Sequence, residues 1–308
     1  MNRLIAALLF CLSACGALHA DLEAHLKKAK RCDCHAMKNI DFIYMINLDQ
    51  RPEKWKRSIE QLAPFGVTPY RFSAVNGWEL TLEDLNDVGL VFSPEMAPGI
   101  LGTRYPLDGN FEPKHETIDQ IGETYFCHCM ARGTIGIALS HISVLQDAFD
   151  AGYQTIWVME DDIDLRRDPN VLPGLIDRLD ALVGKENWDV LFTDRDIRDA
   201  HGNYVPTYWA GKRPDFLYNT QSNNYAQRNE ISPEFRTIGA RSGAHSMIVR
   251  RSGMEKLLRF FKSRQIFFPY DMEYVLPPGI KLFTVLDDVV SNTPNAASDN
   301  GGPNYLNK

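Results

Sequence analysis

The sequence has 308 residues, 44% of them hydrophobic, which is enough for one large domain or two small ones with a buried core. Its formal net charge of −7, from 33 basic and 40 acidic residues, leaves no basic surface to hold a nucleic-acid backbone. A DNA or RNA partner is therefore not expected.

The first twenty residues predict an export signal. Arg3 precedes an apolar run that is too short to span a bilayer comfortably, and small residues stand before Asp21. Residues 12–15, Leu-Ser-Ala-Cys, also resemble a bacterial lipobox, in which lipidated Cys15 would attach the chain to a membrane. Cleavage after Ala20 and a retained signal anchor are the alternatives. The expected location is the periplasm or a lipid-anchored state in a bacterium, or the endoplasmic-reticulum lumen in a eukaryote.

From residue 42 onward, apolar patterns predict strands that alternate with helices. The predicted strands cover residues 42–48, 70–75, 155–159, 188–193, 244–249 and 281–286; the predicted helices start at Pro52 or cover residues 135–149, 169–183 and 253–261. This alternation favours an α/β fold with a mostly parallel sheet and helices on both faces. Residues 89–132 show no clear period and predict a long excursion.

The predicted domain spans residues 41–291. A segment of residues 21–40 precedes it, and residues 292–308 are expected to form a flexible tail. We find no internal repeat.

Three acidic residues, Glu160, Asp161 and Asp162, follow directly on the apolar strand at 155–159. Adjacent like charges repel unless a cation or hydrogen-bond donors compensate them. Open α/β sheets bind ligands just past the carboxyl ends of their strands, and carboxylate oxygens suit Mn²⁺ or Mg²⁺. The triplet therefore predicts either a metal that bridges nucleotide phosphates or an acidic strand end that opens into water.

Several short motifs occur together in a fixed order. They are NLDQRPEKW at 47–55, AVNG at 74–77, GTIG at 133–136 leading to LSH at 139–141, VMEDD at 158–162, GAHSMIVRRSG at 243–253, LL at 257–258 and PYD at 269–271. In this order they resemble glycosyltransferase family 25, which includes lipooligosaccharide and collagen galactosyltransferases. The resemblance covers about residues 42–290.

The resemblance implies a GT-A fold and a UDP-sugar donor, usually UDP-galactose or UDP-glucose. It also implies inverting transfer to a hydroxyl acceptor on a glycan, a lipooligosaccharide or a protein. The matching positions imply that Glu160, Asp161 and Asp162 hold the metal and the diphosphate. The first motif implies that Asn47, Leu48 and Arg51 border the nucleotide; the alternative is a strand end with a surface arginine.

Three further positions match the family in the later motifs. Ser140 and His141 match its Ser-His pair, which implies that Ser140 binds the donor and that His141 is catalytic; the alternative for His141 is a helix histidine that orients a neighbouring carboxylate. Asp271 matches an acidic position that could face the acceptor. Inverting transfer needs a base for the acceptor proton, and Asp271 is the candidate; a helix N-cap is the alternative.

A histidine and a second acidic motif leave the assignment of the metal ligands open. His245 stands where the family often has an aromatic residue, so it is either a third metal ligand or part of the core. Asp194-Arg195-Asp196 also has an Asp-x-Asp form after a predicted strand and is a rival metal site.

Two Cys-x-Cys clusters, at 32–34 and 127–129, lie outside the family motifs. In an exported chain they predict disulfides that link one cluster to the other, either as two bonds or as one bridge with two free thiols. A zinc site, in which His35 or His128 replaces one thiolate, is the alternative in a reducing compartment.

Tyrosine, tryptophan and phenylalanine are frequent in the polar segment at 194–237. Such aromatic faces could cover a sugar, or they could bury themselves in a surface loop. Two other functions remain open: a glycan-binding protein that keeps the fold without turnover, and a metal-dependent hydrolase. The second lacks a histidine-rich ligand set.

Overall fold

The structure, a computed structural model, describes residues 21–30, 33–208, 211–216 and 224–307. The predicted export signal and Cys15 lie outside these residues. Within the described part of the chain, no helix combines the length and the apolarity needed to cross a membrane.

Six α-helices and fourteen strands are formed by the described residues. The helices are α1 (Pro52–Leu62), α2 (Leu82–Val88), α3 (Arg132–Asp150), α4 (Leu172–Val183), α5 (Arg251–Arg264) and α6 (Tyr270–Glu273). The strands are β1 (Phe42–Asn47), β2 (Tyr70–Ser73), β3 (Leu90–Val91), β4 (Leu101–Arg104), β5 (Lys114–Thr117), β6 (Thr124–Cys127), β7 (Thr155–Glu160), β8 (Ile163–Leu165), β9 (Val190–Phe192), β10 (Arg228–Glu230), β11 (Phe235–Ile238), β12 (Ser246–Arg250), β13 (Leu282–Val285) and β14 (Val290–Asn292).

The main sheet has eight strands in the order β10-β11-β13-β9-β12-β7-β1-β2. The sheet is mixed: six of its eight strands run in one direction, and β11 and β12 run in the other. β2, β1 and β7 run parallel, as do β13 and β9, but β12 is antiparallel to both of its neighbours, and β10 and β11 are also antiparallel. The predicted α/β class and the flanking helices are confirmed.

Alternate side chains of the central strands enter separate cores on the two faces of the sheet. In β7, Ile156 and Val158 pack with α3 and α5, whereas Trp157 and Met159 pack with α4. This is the period of two that an extended strand imposes. Because both faces are covered, the strand is apolar along its length until Glu160, where it reaches the edge of the core.

Residues 89–132 are more regular than the sequence indicates. β3, β6, β4 and β5 form a small antiparallel sheet there, with strands of two to four residues. Strands this short give too few residues for a period to be recognised. The segment ends at α3, which carries much of the site.

The expected link between the two cysteine clusters is replaced by a local bond. A turn at residues 128–129 brings the Cα of Cys129 to 5.4 Å from that of Cys127, and the two form a disulfide. Cys34 is an exposed free thiol, and Cys32 lies outside the described residues. A paired Cys127 and Cys129 also removes the thiolates that the alternative zinc site requires.

Candidate active site

The site lies where the carboxyl ends of β1, β2 and β7 meet at one edge of the sheet. Ile46 of β1 is in register with Glu160 of β7, and Asn47 with Ser73 of β2. The first motif and the acidic triplet are therefore neighbours, as expected for ligand-binding residues of an open α/β sheet.

Two adjoining cavities, of about 130 and 260 Å³, open at this edge. Leu48, Arg51, Lys54, Ser140, His141 and Asp161 are among the residues lining the first cavity. Gly243, His245, Tyr270, Asp271 and Asn292 are among those lining the second. Ile137, Glu160, Asp162 and Asn300 line both. Two of the three triplet carboxylates thus stand at the junction of two compartments.

Asn47 is fully buried behind the first cavity and positions Asp161. Its side-chain NH₂ donates to Asp161 Oδ2 at 2.5 Å and to the Arg51 carbonyl at 2.9 Å, while its Oδ1 accepts from Arg71 Nε. Burial raises the pKa of Asp161 to about 7, against the favourable effect of Lys54, whose Nζ lies 3.8 Å away. Asn47 therefore orients the triplet instead of lining the cavity.

Glu160 is held by the histidine of the predicted Ser-His pair. His141, buried on α3, lies with Nε2 2.9 Å from Glu160 Oε1, and its ring stacks on Tyr270 at a centroid distance of 4.2 Å. Burial opposes the ionisation of Glu160, but the hydrogen bond and charge of His141 outweigh it and lower the pKa of Glu160. The interpretation of His141 as a residue that orients a carboxylate is what the structure shows.

Among the described residues, Asp162 is the member of the triplet that forms no ion pair, although Lys54 acts on it from a greater distance and lowers its pKa. Its backbone carbonyl accepts from Thr293 N, but no other described residue donates a hydrogen bond to its carboxylate. Burial and the neighbouring charge of Glu160 raise its pKa. A partly buried carboxylate in this position is stabilised by any cation that enters the junction.

The chemistry of these donors fits a divalent cation shared with a substrate. Within the described ranges, no three His, Cys, Asp or Glu side chains already converge as a complete protein cage. Mg²⁺ in nucleotide sites is usually held by one or two carboxylates together with phosphates. Asp162, with Glu160 or Asp161 beside it, meets that smaller requirement.

Ser140 is engaged by the protein. Its hydroxyl donates to the Gly136 carbonyl and accepts from Val75 N, which ties α3 to the loop after β2. The two backbones are in close contact here, since a Cβ on Gly136 would lie 2.5 Å from the nitrogen of Gly77. The glycines of two family-like motifs therefore allow α3 to reach the strand ends.

Arg51 is bound by the C-terminal tail. Its Nε and Nη2 both lie 2.6 Å from the carboxylate of Asp299, which is itself buried. The hydrogen bonds of Asp299 raise the pKa of Arg51, with burial acting in the opposite direction. The sequence predicts a flexible tail, whereas the structure places this part of it against the first cavity, because Asp299 satisfies a buried guanidinium.

Asp271 lies in the second cavity, on the short helix α6. Its Oδ2 accepts a hydrogen bond of 2.8 Å from Gly243 N. Burial is the main cause that raises its pKa, with a contribution from Glu160, and the bond from Gly243 partly opposes it. A carboxylate that is buried and has few donors is a stronger base when ionised, which suits the proposed role.

His245 faces a buried carboxylate on its far side. Its Nε2 lies 2.9 Å from Asp194 Oδ2, and its backbone carbonyl accepts from Glu160 N. Asp194 also binds Arg241 Nη1 at 2.8 Å and accepts from Ser291. Burial opposes its ionisation, but Arg241 and His245 hold its pKa well below the ordinary range.

These contacts rule out the rival metal site at 194–196. Asp194 is engaged by Arg241 and His245, and Asp196 pairs with Arg236 at 2.5 Å. Carboxylates that neutralise buried arginines are not available to a metal without leaving those charges unpaired. The Asp-x-Asp pattern here is structural.

The aromatic residues at 194–237 that the structure describes lie away from both cavities. Tyr204 stacks under Arg198 and donates to Asp288, while Phe216 and Tyr225 pack against the core. Phe216 and Tyr225 fit the interpretation as a self-burying surface loop, whereas Tyr204 and Tyr208 are exposed without lining either cavity. Trp209 and Tyr218 lie outside the described residues.

Three residues of the site were not predicted from the sequence. Lys54 stands within the first motif, but its proximity to Asp161 depends on α1. Tyr270 precedes Asp271 and stacks on His141. Asp299 gave no local signal, since it lies in a polar stretch 248 residues from Arg51.

The large mixed sheet flanked by helices, with cavities at the strand ends, is consistent with a GT-A-like fold. A sequence profile described as glycosyltransferase family 25 (LPS biosynthesis protein) matches residues 40–273. The chain belongs to glycosyltransferase family 25, which confirms the resemblance.

Several curated relatives share part of this chain. A glycosyltransferase 25 family member of Aedes aegypti is 27% identical over 156 residues, or 51% of this chain and 21% of the relative. One from Drosophila melanogaster is 25% identical over 175 residues, or 57% and 24%. The human protein named inactive glycosyltransferase 25 family member 3 is 24% identical over 157 residues, or 50% and 22%. The match thus spans about a fifth to a quarter of these relatives' length.

Proposed function

We propose that this chain is a glycosyltransferase that moves a hexose, galactose or glucose, from a UDP-sugar to a hydroxyl group with inversion. The acceptor is a glycan, a lipooligosaccharide or a protein. The observation that carries the proposal is the pair of adjoining cavities that share Glu160 and Asp162. A transfer between two substrates needs two compartments that meet at the reacting carbon.

The first cavity is the donor side. Arg51 and Lys54 supply its positive charge for a diphosphate, and Leu48 and Asn76 form part of its wall. A bound Mn²⁺ or Mg²⁺ would neutralise the leaving diphosphate. Asp162 and Asp161 would hold that ion, and His141 keeps Glu160 ionised beside it.

The second cavity is the acceptor side, and Asp271 is the base. The acceptor oxygen attacks the anomeric carbon from the face opposite the diphosphate, and the bond between that carbon and the diphosphate oxygen breaks with its electron pair leaving on the diphosphate. The acceptor proton passes to the Asp271 carboxylate. One displacement of this kind inverts the anomeric centre, as proposed.

The second candidate is a glycan-binding protein on the same fold without turnover. The human relative's name, inactive glycosyltransferase 25 family member 3, favours it. Release of UDP from UDP-galactose or UDP-glucose in the presence of Mn²⁺ separates the two.

A panel of nucleotide sugars, scored by thermal shift with and without Mn²⁺, identifies the donor first, because a selective ligand stabilises the folded state. Donor binding without UDP release or transfer would favour the binding protein.

We also propose that the chain is exported, with membrane attachment through Cys15 as one form. Its support is the sequence of the first twenty residues. Metabolic labelling with a fatty acid, compared between the wild type and Cys15→Ser, distinguishes lipidation from simple cleavage.

A further inference from the structure

Part of the C-terminal tail, which we call the strap and define as residues 298–305, lies along the first cavity. Asp299 and Asn300 line that cavity, and Asn300 also lines the second. Trp78 Nε1 donates to the carbonyl of Asp299 at 2.7 Å. The strap is beyond residues 40–273, the range that the family profile matches.

The strap also packs against the start of α3. A Cβ on Gly133 would lie 2.4 Å from the carbonyl oxygen of Asp299 and 2.7 Å from that of Asn300. At the far end of the strap, the hydroxyl of Tyr305 accepts a hydrogen bond from the Asn76 side chain. The backbone nitrogen of Tyr305 donates to Asp299 Oδ1. These contacts hold the strap between the loop after β2 and the first turn of α3.

The main charged contact of the strap is a two-pronged pair with Arg51. Nε and Nη2 of Arg51 donate in parallel to the two oxygens of Asp299, while Nη1 makes only a 3.3 Å contact with Glu53 on α1. This planar fork is the arrangement by which arginine also binds phosphate oxygens. A diphosphate that uses the fork must replace Asp299.

The described basic side chains that line the first cavity each have a carboxylate near them. Lys54 lies 3.8 Å from Asp161, and His141 binds Glu160. Asp161 and Glu160 belong to the end of the central strand β7 and its adjoining turn, where they cannot withdraw without disturbing the sheet. Asp299 lies outside the sheet and the α-helices, so it is the carboxylate that can leave its cation.

We propose that Asp299 is an internal anion that occupies Arg51 until the donor arrives, and that the donor diphosphate displaces it. The strap and the donor therefore exclude each other at Arg51. This inference rests on the proposed function, because it requires a diphosphate ligand. It assigns the strap a role in controlling access to the donor side.

Hydrogen–deuterium exchange on the full chain tests the displacement directly. Saturating UDP with Mn²⁺ is expected to make the amides of residues 298–305 exchange several-fold faster, because their contacts to Arg51 and Trp78 are lost. Slower or unchanged exchange in the UDP-bound protein would overturn the proposal. If calorimetry detects no UDP binding to the wild type or to Asp299→Asn, both the proposed function and the proposed displacement fail.

Substitutions test the competition independently. Asp299→Asn is expected to tighten UDP binding by about tenfold. The neutral amide binds Arg51 more weakly than the carboxylate does, so the strap competes less with UDP for Arg51. Asp299→Glu keeps the charge and should remain near the wild type. The matched control is Glu53→Gln, which also removes a negative charge beside Arg51 but leaves the strap in place. Equal tightening in Glu53→Gln, or none in Asp299→Asn, contradicts displacement by the strap.

Discussion

His141 Nε2 lies 2.9 Å from Glu160 Oε1, so a helix on one face of the sheet orients a carboxylate at the end of a central strand. His141→Ala is expected to lower the free energy of unfolding by about 2–3 kcal/mol at pH 7, because a buried bond to a charged group and the stack on Tyr270 are lost. Urea unfolding measures this. His201→Ala, at an exposed position, is the control and should leave the free energy of unfolding nearly unchanged. An equal loss in that variant would contradict the stabilising role assigned to the bond between His141 and Glu160.

The same pair predicts an acid dependence. The pKa of Glu160 is lowered in the folded state, so its stabilising contribution is present above the unfolded value and is lost as the pH falls through the folded value. In His141→Ala this loss should begin at a higher pH than in the wild type. Unfolding curves at intervals below pH 5 show the shift, and superimposable pH profiles for the two proteins would count against it.

Asp161 predicts a dependence of the opposite sign. Its pKa of about 7 is above the unfolded value, so ligand-free protein loses stability from this residue as the pH rises from about 4 to about 7. Lys54, Asp162, Glu160 and Asn47 are the charged or polar groups that face it. The full shift corresponds to at most about 4 kcal/mol.

Asp161→Asn should flatten the stability profile over that range, as measured by denaturant unfolding between pH 4 and 7. Asp164→Asn is the matched control, because Asp164 lies close in sequence but pairs with Arg166. A profile that keeps its slope in Asp161→Asn would contradict the assignment of the slope to this residue.

Asp162→Asn is expected to abolish Mn²⁺-dependent UDP binding and to leave the ligand-free fold at least as stable as the wild type. The reason for both effects is the same partly buried carboxylate, which is repelled by Glu160 and forms no ion pair with a described residue. Calorimetry and thermal unfolding measure the two quantities. By contrast, Asp194→Asn should cost about 3–5 kcal/mol of stability, because it leaves the charge of Arg241 without its partner. UDP binding that survives in Asp162→Asn would remove Asp162 from the metal site.

Asp271→Asn is expected to reduce transfer by about 10²-fold or more while UDP affinity changes little, as for a base that acts only on the acceptor. Steady-state transfer and UDP calorimetry on one preparation measure both. A parallel fall in transfer and UDP affinity would instead place Asp271 on the donor side or in the folding of the Gly243 loop.

Cys127 and Cys129 are expected to resist alkylation in the absence of reductant, whereas exposed Cys34 reacts. Because the bond closes a very short loop, its reduction should cost only about 1–2 kcal/mol by the loop-entropy relation. Mass spectrometry of alkylated peptides gives the pairing. A peptide that joins residue 32 or 34 to residue 127 or 129 would restore the link between clusters.

The central elements could be predicted because their apolar patterns are long. β1, α3, β7 and α5 lie within a few residues of their predicted bounds, and the acidic triplet was correctly placed at a strand end. The direction of β12 could not be predicted, since its antiparallel place between β7 and β9 depends on tertiary packing.

The site itself was only partly visible in the sequence. Motif order brought Arg51, His141 and Asp271 into consideration, but not the partner that each one binds. Asp194 has the form of a metal ligand in the sequence and neutralises Arg241 in the structure. Such pairings join residues that are distant along the chain, so no local pattern reports them.

The pair between Arg51 and Asp299 joins residues that are 248 positions apart. Closing so large a loop costs conformational entropy. The contact between the two residues offsets that cost only when the elements between them have already folded. Completion of the donor side is therefore expected late in folding, and during synthesis Arg51 remains without this partner until the strap has left the ribosome. A chain that has folded its sheet but not yet docked the strap would already present an open anion site.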